Sequence, residues 1–238
     1  MTPNNAPHRL ALFDLDNTLI PFDSDATWGE FTTDLGWNDG AVFRARNAAF
    51  YEDYKAGTLD IHAYVRFATA ALRVKGPEVA HATHRQFMQN VVLPRIFPQA
   101  RALVEGHQAQ GDTVIIITAT NAFVTRPIAE AFGVTELIAT DLAIESASDA
   151  TTAGSGWISG EIAGTPAFRE GKVLRLEAWL AARGLDWGQV HTTFYSDSIN
   201  DLPLLEKANV AVAANPDPRL RAIADARGWR ILELFAGV

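Results

Sequence analysis

Short apolar runs alternate with amphipathic stretches along most of the chain. Residues 10–13 (LALF) read as a buried strand entering Asp14, and 113–117 (TVIII) as a β-branched strand after a helical stretch over about 99–110. Residues 137–144 and 157–163 predict two further strands around the turn-rich SASDATTAGSG, a β-hairpin with a loose tip. Val173, Leu176, Trp179 and Leu180 share one face of a helix over 172–183, which Gly184 ends. Short strands follow at 192–195 and 210–213 with a helical DLPLLEKA between them, then a helix near 218–227 and a last strand at 230–234. Strands alternating with helices predict an α/β fold with a mostly parallel sheet, covered on both faces.

Residues 23–92 break this rhythm, with helical periodicity and no strand pattern. Ile61, Tyr64, Val65, Phe67, Ala68 and Leu72 form an i, i+3, i+4, i+7 stripe, and Gly76-Pro77 begins another helix. Pro94 and Pro98 mark the return to the α/β pattern. The expected organisation is therefore a core built from 1–22 and 93–238, with an all-helical insertion over 23–92.

Composition narrows the chemistry. A chain of 238 residues with 48% hydrophobic positions can bury a real core. It has no Cys, which excludes disulfides, thiolate metal sites and cysteine nucleophiles. A net charge of −8 argues against broad binding to nucleic-acid phosphates. The opening MTPNNAPH has neither the basic nor the apolar region of a signal peptide, and no apolar run nears the roughly 18–20 residues of a membrane span. The expectation is a cytoplasmic protein without membrane or nucleic-acid partners. If its carboxylates concentrate anywhere, a hard divalent cation is their natural partner.

They concentrate at strand ends, where ligands bind in open α/β sheets. Asp14 and Asp16 lie two positions apart in FDLDNTL, and Asp197 and Asp201 lie four apart in YSDSIND. Each cluster alone also reads as an acidic turn or a helix cap. Thr118-Ala119-Thr120-Asn121 follows TVIII, placing a hydroxyl and backbone N–H groups where a strand gives way to a helix; this suits an anion, or a simple N-cap. Lys172 opens a helix, where the dipole disfavours a cation and an anionic partner would explain it.

In order, DLDNTL, IIITAT, GK and SDSINDLPLL resemble the four motifs of the haloacid dehalogenase (HAD) superfamily, spanning residues 14–201. The insert after the first motif resembles the helical cap of its IB subfamily, which contains phosphoserine phosphatase, and NAFVTRPIAEAFG is similar to relatives described as phosphoserine or histidinol-phosphate phosphatases. The resemblance implies a Rossmann-like core and a Mg²⁺-dependent phosphatase of small phosphorylated metabolites. Asp14 would be the nucleophile that becomes an aspartyl-phosphate, and Asp16 the general acid and then base. Asp14, the Asp16 carbonyl and Asp197 would hold Mg²⁺. Thr118, the Ala119 N–H and Asn200 would bind the phosphoryl oxygens, and Lys172, oriented by Asp201, would neutralise charge. An Asp at position 16 favours phosphoester hydrolysis over dehalogenation. A phosphotransferase or mutase using the same intermediate, and a non-catalytic binding module, remain alternatives; oligomeric state is open.

Substrate choice would lie in the cap. By resemblance, Asp23 is spaced to meet a substrate amine, with Asp25 beside it. The position of the family's carboxylate-gripping Arg holds Ala68, with Arg66 half a turn earlier, which weakens phosphoserine as substrate. Trp28, one turn past Asp25, is the expected substrate wall; acidic and aromatic groups together suit an amine-bearing phosphoester such as histidinol phosphate. His81 and His84 read as a helical face rather than a zinc pair, and Arg126 as structural or phosphate-facing.

Overall fold

Alternate residues of the first strand face different cores, which is how one short apolar run organises a layered fold. The computed structural model describes residues 7–145 and 156–235. In β1 (His8–Phe13), Ala11 and Phe13 join one buried cluster and Leu10 and Leu12 the other. Seven more strands follow: β2 (Thr113–Asn121), β3 (Glu136–Thr140), β4 (Leu142–Ile144), β5 (Ile158–Ile162), β6 (Val190–Ser196), β7 (Val210–Ala214) and β8 (Arg230–Leu232). Six form a sheet of order β3-β2-β1-β6-β7-β8, every neighbouring pair parallel. Helices α5 (Pro98–Ala109) and α6 (Ala122–Ala131) contribute to one core; α7 (Glu170–Ala181), α8 (Leu202–Lys207) and α9 (Pro218–Arg227) contribute to the other. The expected parallel α/β architecture is present.

Between β1 and α5 lie α1 (Ser24–Asp34), α2 (Gly40–Ala56), α3 (Ile61–Ala68) and α4 (Ala70–Phe87). Asp23, Asp39 and Asp60 cap the first three, each carboxylate accepting two backbone N–H groups. Gly29 lets α1 and α2 approach: a Cβ there would lie 2.3 Å from the Phe43 ring. The expected helix start at Gly76-Pro77 is met within the α4 span: Gly76 leaves the helix at φ 76° and a new helical segment runs from Pro77. A π-helical turn, Met88–Val92, and a short 3₁₀ turn, Leu93–Arg95, lead back to the sheet.

Two strand expectations differ in a way that bears on function. The run 137–144 splits at Asp141 into β3 and β4, and β4 pairs antiparallel with β5 as a separate hairpin packed on α3 and α4. Trp157 seals this junction, its Nε1–H donating to the Leu72 carbonyl at 3.1 Å. The hairpin tip falls outside the described residues. Strand β2 runs on to Asn121, but its register with β3 shifts between Ile117 and Asn121. Such an irregularity re-aims side chains beside a site, and here it involves Thr118, Ala119 and Thr120.

Candidate active site

The sheet order reverses around β1, with β2 on one side and β6 on the other, so a crevice opens at their carboxyl ends. The Asp14 N–H extends the ladder by one bond to the Tyr195 carbonyl, 2.9 Å away. The chain then turns sharply: Leu15 O accepts from Leu19 N at 2.8 Å, and Asn17 takes a left-handed φ of 57°. This leaves Asp14 at the end of β1 beside Asp197, which follows β6. Thr18 joins them, its hydroxyl donating to Asp14 Oδ2 at 3.0 Å and accepting the Asp197 N–H at 3.0 Å.

Lys172 enters from the first turn of α7 and is 2% exposed. Its Nζ lies 2.7 Å from both Asp14 Oδ1 and Asp201 Oδ2. These carboxylates supply the compensation that a cation near a helix N-terminus needs, and they outweigh burial to push the lysine pKa up. The preceding Gly171 is required by space, since a Cβ would sit 2.0 Å from the Pro166 carbonyl oxygen. The same Asp201 Oδ2 also accepts the Ser196 hydroxyl at 2.7 Å.

Asp16 faces the helical insert. Its Oδ1 accepts the Ser24 N–H at 2.8 Å and its Oδ2 the Thr120 hydroxyl at 2.8 Å. Burial, with Asp23 and Asp14 nearby, pushes its pKa up to about 8. Burial also raises Asp14 to about 6, Lys172 opposing and Asp201 assisting. Asp197 shifts upward through burial and the charges of Asp14 and Asp201. Both neighbouring carboxyls are raised, and Asp16 is the harder of the two to ionise.

Among the described residues, Lys172 is the basic side chain that pairs with these carboxyls. The crowding therefore leaves room for a further cation. Among the described residues no group of three His, Asp or Glu side chains is arranged as a metal cage. Two carboxylates and a backbone carbonyl, completed by water, instead suit Mg²⁺, which is held through few protein oxygens and keeps its waters.

A cavity of about 850 Å³ lies between this floor and the insert. Asp14, Asp16, Asp197, Asp201, Lys172, Thr118, Ala119 and Asn200 all line it, so the core residues expected from sequence converge. Thr118 and Ala119 sit on the irregular stretch of β2, while Asn121 caps α6 through its side chain. The roof comes from α1, α2 and α3. Three core side chains hold the end of α2: Asn200 Nδ2 donates to Tyr54 O at 3.3 Å, Arg219 to Lys55 O at 2.9 Å and Arg169 to Gly57 O at 2.8 Å. The Tyr54 hydroxyl also meets Ser198 Oγ at 2.9 Å.

The expected specificity residues fare unequally. Asp23 lines the cavity, with Oδ1 committed to capping α1. Asp25 lies behind it, buried and receiving Asn121 Nδ2 at 3.2 Å, and it does not line the cavity. Trp28 is not a substrate wall: it is 2% exposed within an aromatic cluster with Phe31, Trp37, His84, Phe87 and Phe123. Arg66 points away, paired at 3.2 Å with Glu161 of β5 on the surface. The corrections at Asp25 and Trp28 come from helix phase, since Ala26, Glu30 and the N-cap Asp23 of α1 face the cavity and residues 25 and 28 do not. Arg126 is structural, donating to Thr135 O, and His84 is buried against the Val124 carbonyl.

Sequence reasoning gave no separate role to Thr18, Tyr54, Arg169 or Arg219, and did not foresee that Thr120 would hold Asp16. Thr18 had a signal, standing two positions after Asp16 in the first motif. Arg169 and Arg219 had none, because their partners are carbonyls 112 and 164 residues distant.

The family model for haloacid dehalogenase-like hydrolases matches residues 11–206. A histidinol-phosphatase from Neisseria meningitidis serogroup C (strain 8013) is 43% identical over 226 residues, covering 94% of this chain and 97% of the relative. A crystal structure of a protein of unknown function from Bordetella pertussis Tohama I is 46% identical, with a TM-score of 0.88 over 97% of this chain and 100% of that one. A substrate-bound phosphoserine phosphatase complex shares the fold at 18% identity, with a TM-score of 0.63 over 95% of this chain and 93% of that one. With its four motifs meeting at one crevice and the family model spanning them, the chain belongs to the haloacid dehalogenase-like hydrolases.

Proposed function

We propose that the substrate of this phosphatase is a small alkyl phosphate carrying an amine and no carboxylate, of the histidinol phosphate kind. The observation that carries the reading is the acidic end of the cavity. Asp23 is half-buried, lines the cavity and lies close to Asp16, with the buried Asp25 behind it; burial raises the pKa of both, Asp25 to about 7. An ammonium group entering there relieves the repulsion between these carboxyls. Position 68 holds Ala and Arg66 is turned outward, so α3 offers no Arg for a substrate carboxylate. The identity to a histidinol-phosphatase supports the same choice.

In this reading residues 23–92 are the cap and residues 1–22 with 93–238 the core. Asp14 attacks phosphorus as its ester bond breaks, and the departing alkoxide oxygen takes the proton of Asp16. Asp16 then accepts a proton from water, whose oxygen attacks the aspartyl-phosphate and restores the Asp14 carboxylate. Thr118, the Ala119 N–H and Asn200 orient the phosphoryl oxygens, and Lys172 offsets their charge. Mg²⁺ held by Asp14, Asp197 and the Asp16 carbonyl would supply further neutralisation of the phosphoryl charge. No helix among the described residues is long and apolar enough to cross a membrane, which is compatible with a cytoplasmic metabolite as substrate.

Phosphate release from histidinol phosphate, phosphoserine and p-nitrophenyl phosphate, with and without Mg²⁺, tests this reading. The expected order of kcat/KM places histidinol phosphate first, with chelator and Asp14→Asn each abolishing turnover. Equal rates on amine-bearing and amine-free esters would overturn the substrate class, and an active Asp14→Asn enzyme would overturn the nucleophile.

A further inference from the structure

The cavity extends well beyond the reaction centre, and the roof indicates what its far end receives. Two helices run from floor to far end. The first turn of α1 touches the floor where Ser24 N–H meets Asp16, and its cavity face continues through Asp23, Ala26 and Glu30. The last turn of α2 touches the floor through Tyr54, and its cavity face runs back through Tyr51, Asn47 and Arg44. Glu30 is seven residues from Asp23, and Asn47 seven from Tyr54; each interval is about 10 Å along a helix axis. Arg44 Nε lies 2.8 Å from Glu30 Oε2, which shows that the two far ends meet.

The hydrogen-bonding inventory there is incomplete. Among the described residues, no hydrogen bond engages the half-buried Asn47 amide, leaving both its donors and its acceptor available. Glu30 gives Oε2 to Arg44, and among the described residues no donor engages its Oε1. Between this end and the floor the cavity is lined by the rings of Phe50, Tyr51 and Tyr64, with Phe50 and Tyr64 edge-to-face at 5.5 Å. Aromatic sides with a donor and acceptors at the tip match a flat ring with polar nitrogens.

We propose that Asn47 and Glu30 form a distal subsite that takes a nitrogen heteroaromatic ring. Asn47 Nδ2 donates to a ring nitrogen, and Glu30 Oε1 accepts a ring N–H. The inference rests on the phosphatase reading above and deepens it: Asp23 reads the amine near the floor, and Asn47 with Glu30 reads the ring about 10 Å away along the helices. These are specificity residues that leave the chemistry at Asp14 untouched.

The test compares histidinol phosphate with O-phosphoserinol, an amino-alcohol phosphate that lacks the ring, on wild-type enzyme, Asn47→Ala and Glu30→Gln. The wild type should prefer the ring-bearing ester, and each substitution should cut that preference about tenfold, through KM rather than kcat. Thermal melts establish that each variant is folded, and Asn47→Asp, which keeps an acceptor and loses the donor, supplies a second probe expected to lower the preference. Equal changes on both substrates would show a structural role and overturn the subsite, as would no change on either. A wild type that hydrolyses both esters without preference overturns the subsite but leaves the phosphatase reading intact. A wild type that hydrolyses neither of them nor p-nitrophenyl phosphate overturns both.

Discussion

The floor and the roof of the cavity are built on opposite terms. On the floor, Asp14, Lys172, Asp201 and Asn200 are all buried, and Thr18 ties Asp14 to the backbone of Asp197. Lys172 has two carboxylate partners at 2.7 Å, and Asp201 has two donors. On the roof, Arg44 is 53% exposed, its ion pairs lie in water, and Asn47 is uncommitted. Groups that stabilise developing charge must be fixed before the reaction, because reorganising dipoles during it raises the barrier. Groups that select a substrate act by adding or withholding contacts, and they tolerate a looser frame.

Breaking the floor should therefore produce the largest effects. Lys172→Met removes the shared cation, leaving Asp14 and Asp201 facing each other without compensation. We expect kcat to fall by about 10³-fold, and the melting temperature to drop as well, since an unpaired buried charge is strongly destabilising. Measuring kcat and thermal unfolding with saturating Mg²⁺ checks both, and a variant with more than a tenth of wild-type kcat would sink the assignment. Thr18→Val should come next. It keeps the volume but deletes the hydroxyl between Asp14 and the Asp197 backbone, and we expect kcat to fall by on the order of 10²-fold, with a stability loss of about 1–3 kcal/mol. A Thr18→Ser enzyme that recovers most of the activity would show that the hydroxyl, not the methyl, carries the effect.

The same contrast explains what was legible in the sequence. Asp14 and Asp197 leave strands at fixed offsets and could be placed by counting from apolar runs, and Lys172 by its place after Gly171 at the opening of a helix. Roof residues depend on helix phase. Helix α1 carries Trp, Gly and Thr without a clean apolar stripe, so Trp28 and Ala26 look equally able to face a ligand, and only packing against Phe87 and Phe123 decides. The spacing near Arg66 could not foresee that β5 would offer Glu161 on the outer side. The register shift in β2 was hidden as well, because the β-branched run TVIII continues into Thr118 and Thr120 with no Gly or Pro to mark it.

Between floor and roof sits Asp25, whose pH response sharpens the boundary. Burial first, then Asp23, raises its pKa from 3.8 to about 7, with Tyr64 and Asn121 opposing. A carboxyl whose folded pKa is raised favours folding while it is protonated, and that contribution is lost as pH rises from about 4 through about 7. Asp25→Asn removes this loss, so the variant should be more stable than wild type at pH 8, on the order of 2 kcal/mol, and should match it near pH 4. Melting temperatures from pH 4 to 9 test the sign. A variant less stable at pH 8 would mean that the ionised carboxylate is needed by a cation within the fold.

The smallest effect is expected where floor and roof join. Helix α2 ends in the left-handed Gly57, and the carbonyls of Tyr54, Lys55 and Gly57 accept from Asn200, Arg219 and Arg169 of the core. Arg219→Ala removes one of these three bonds, at an exposed edge where a hydrogen bond contributes about 1 kcal/mol net. Its loss loosens the end of α2 over the cavity, so KM should rise about threefold, with kcat within twofold of wild type, because the groups around Asp14 keep their positions. Arg169→Ala acts on the same helix end; if the two bonds contribute independently the double variant should raise KM by about the product of the single effects, and a departure from the product would show that they are coupled. Proteolytic nicking within residues 35–60 should rise in parallel. A fall in kcat at unchanged KM would place Arg219 with the floor, and the division between a fixed reaction centre and an adjustable roof would have to be redrawn at α9.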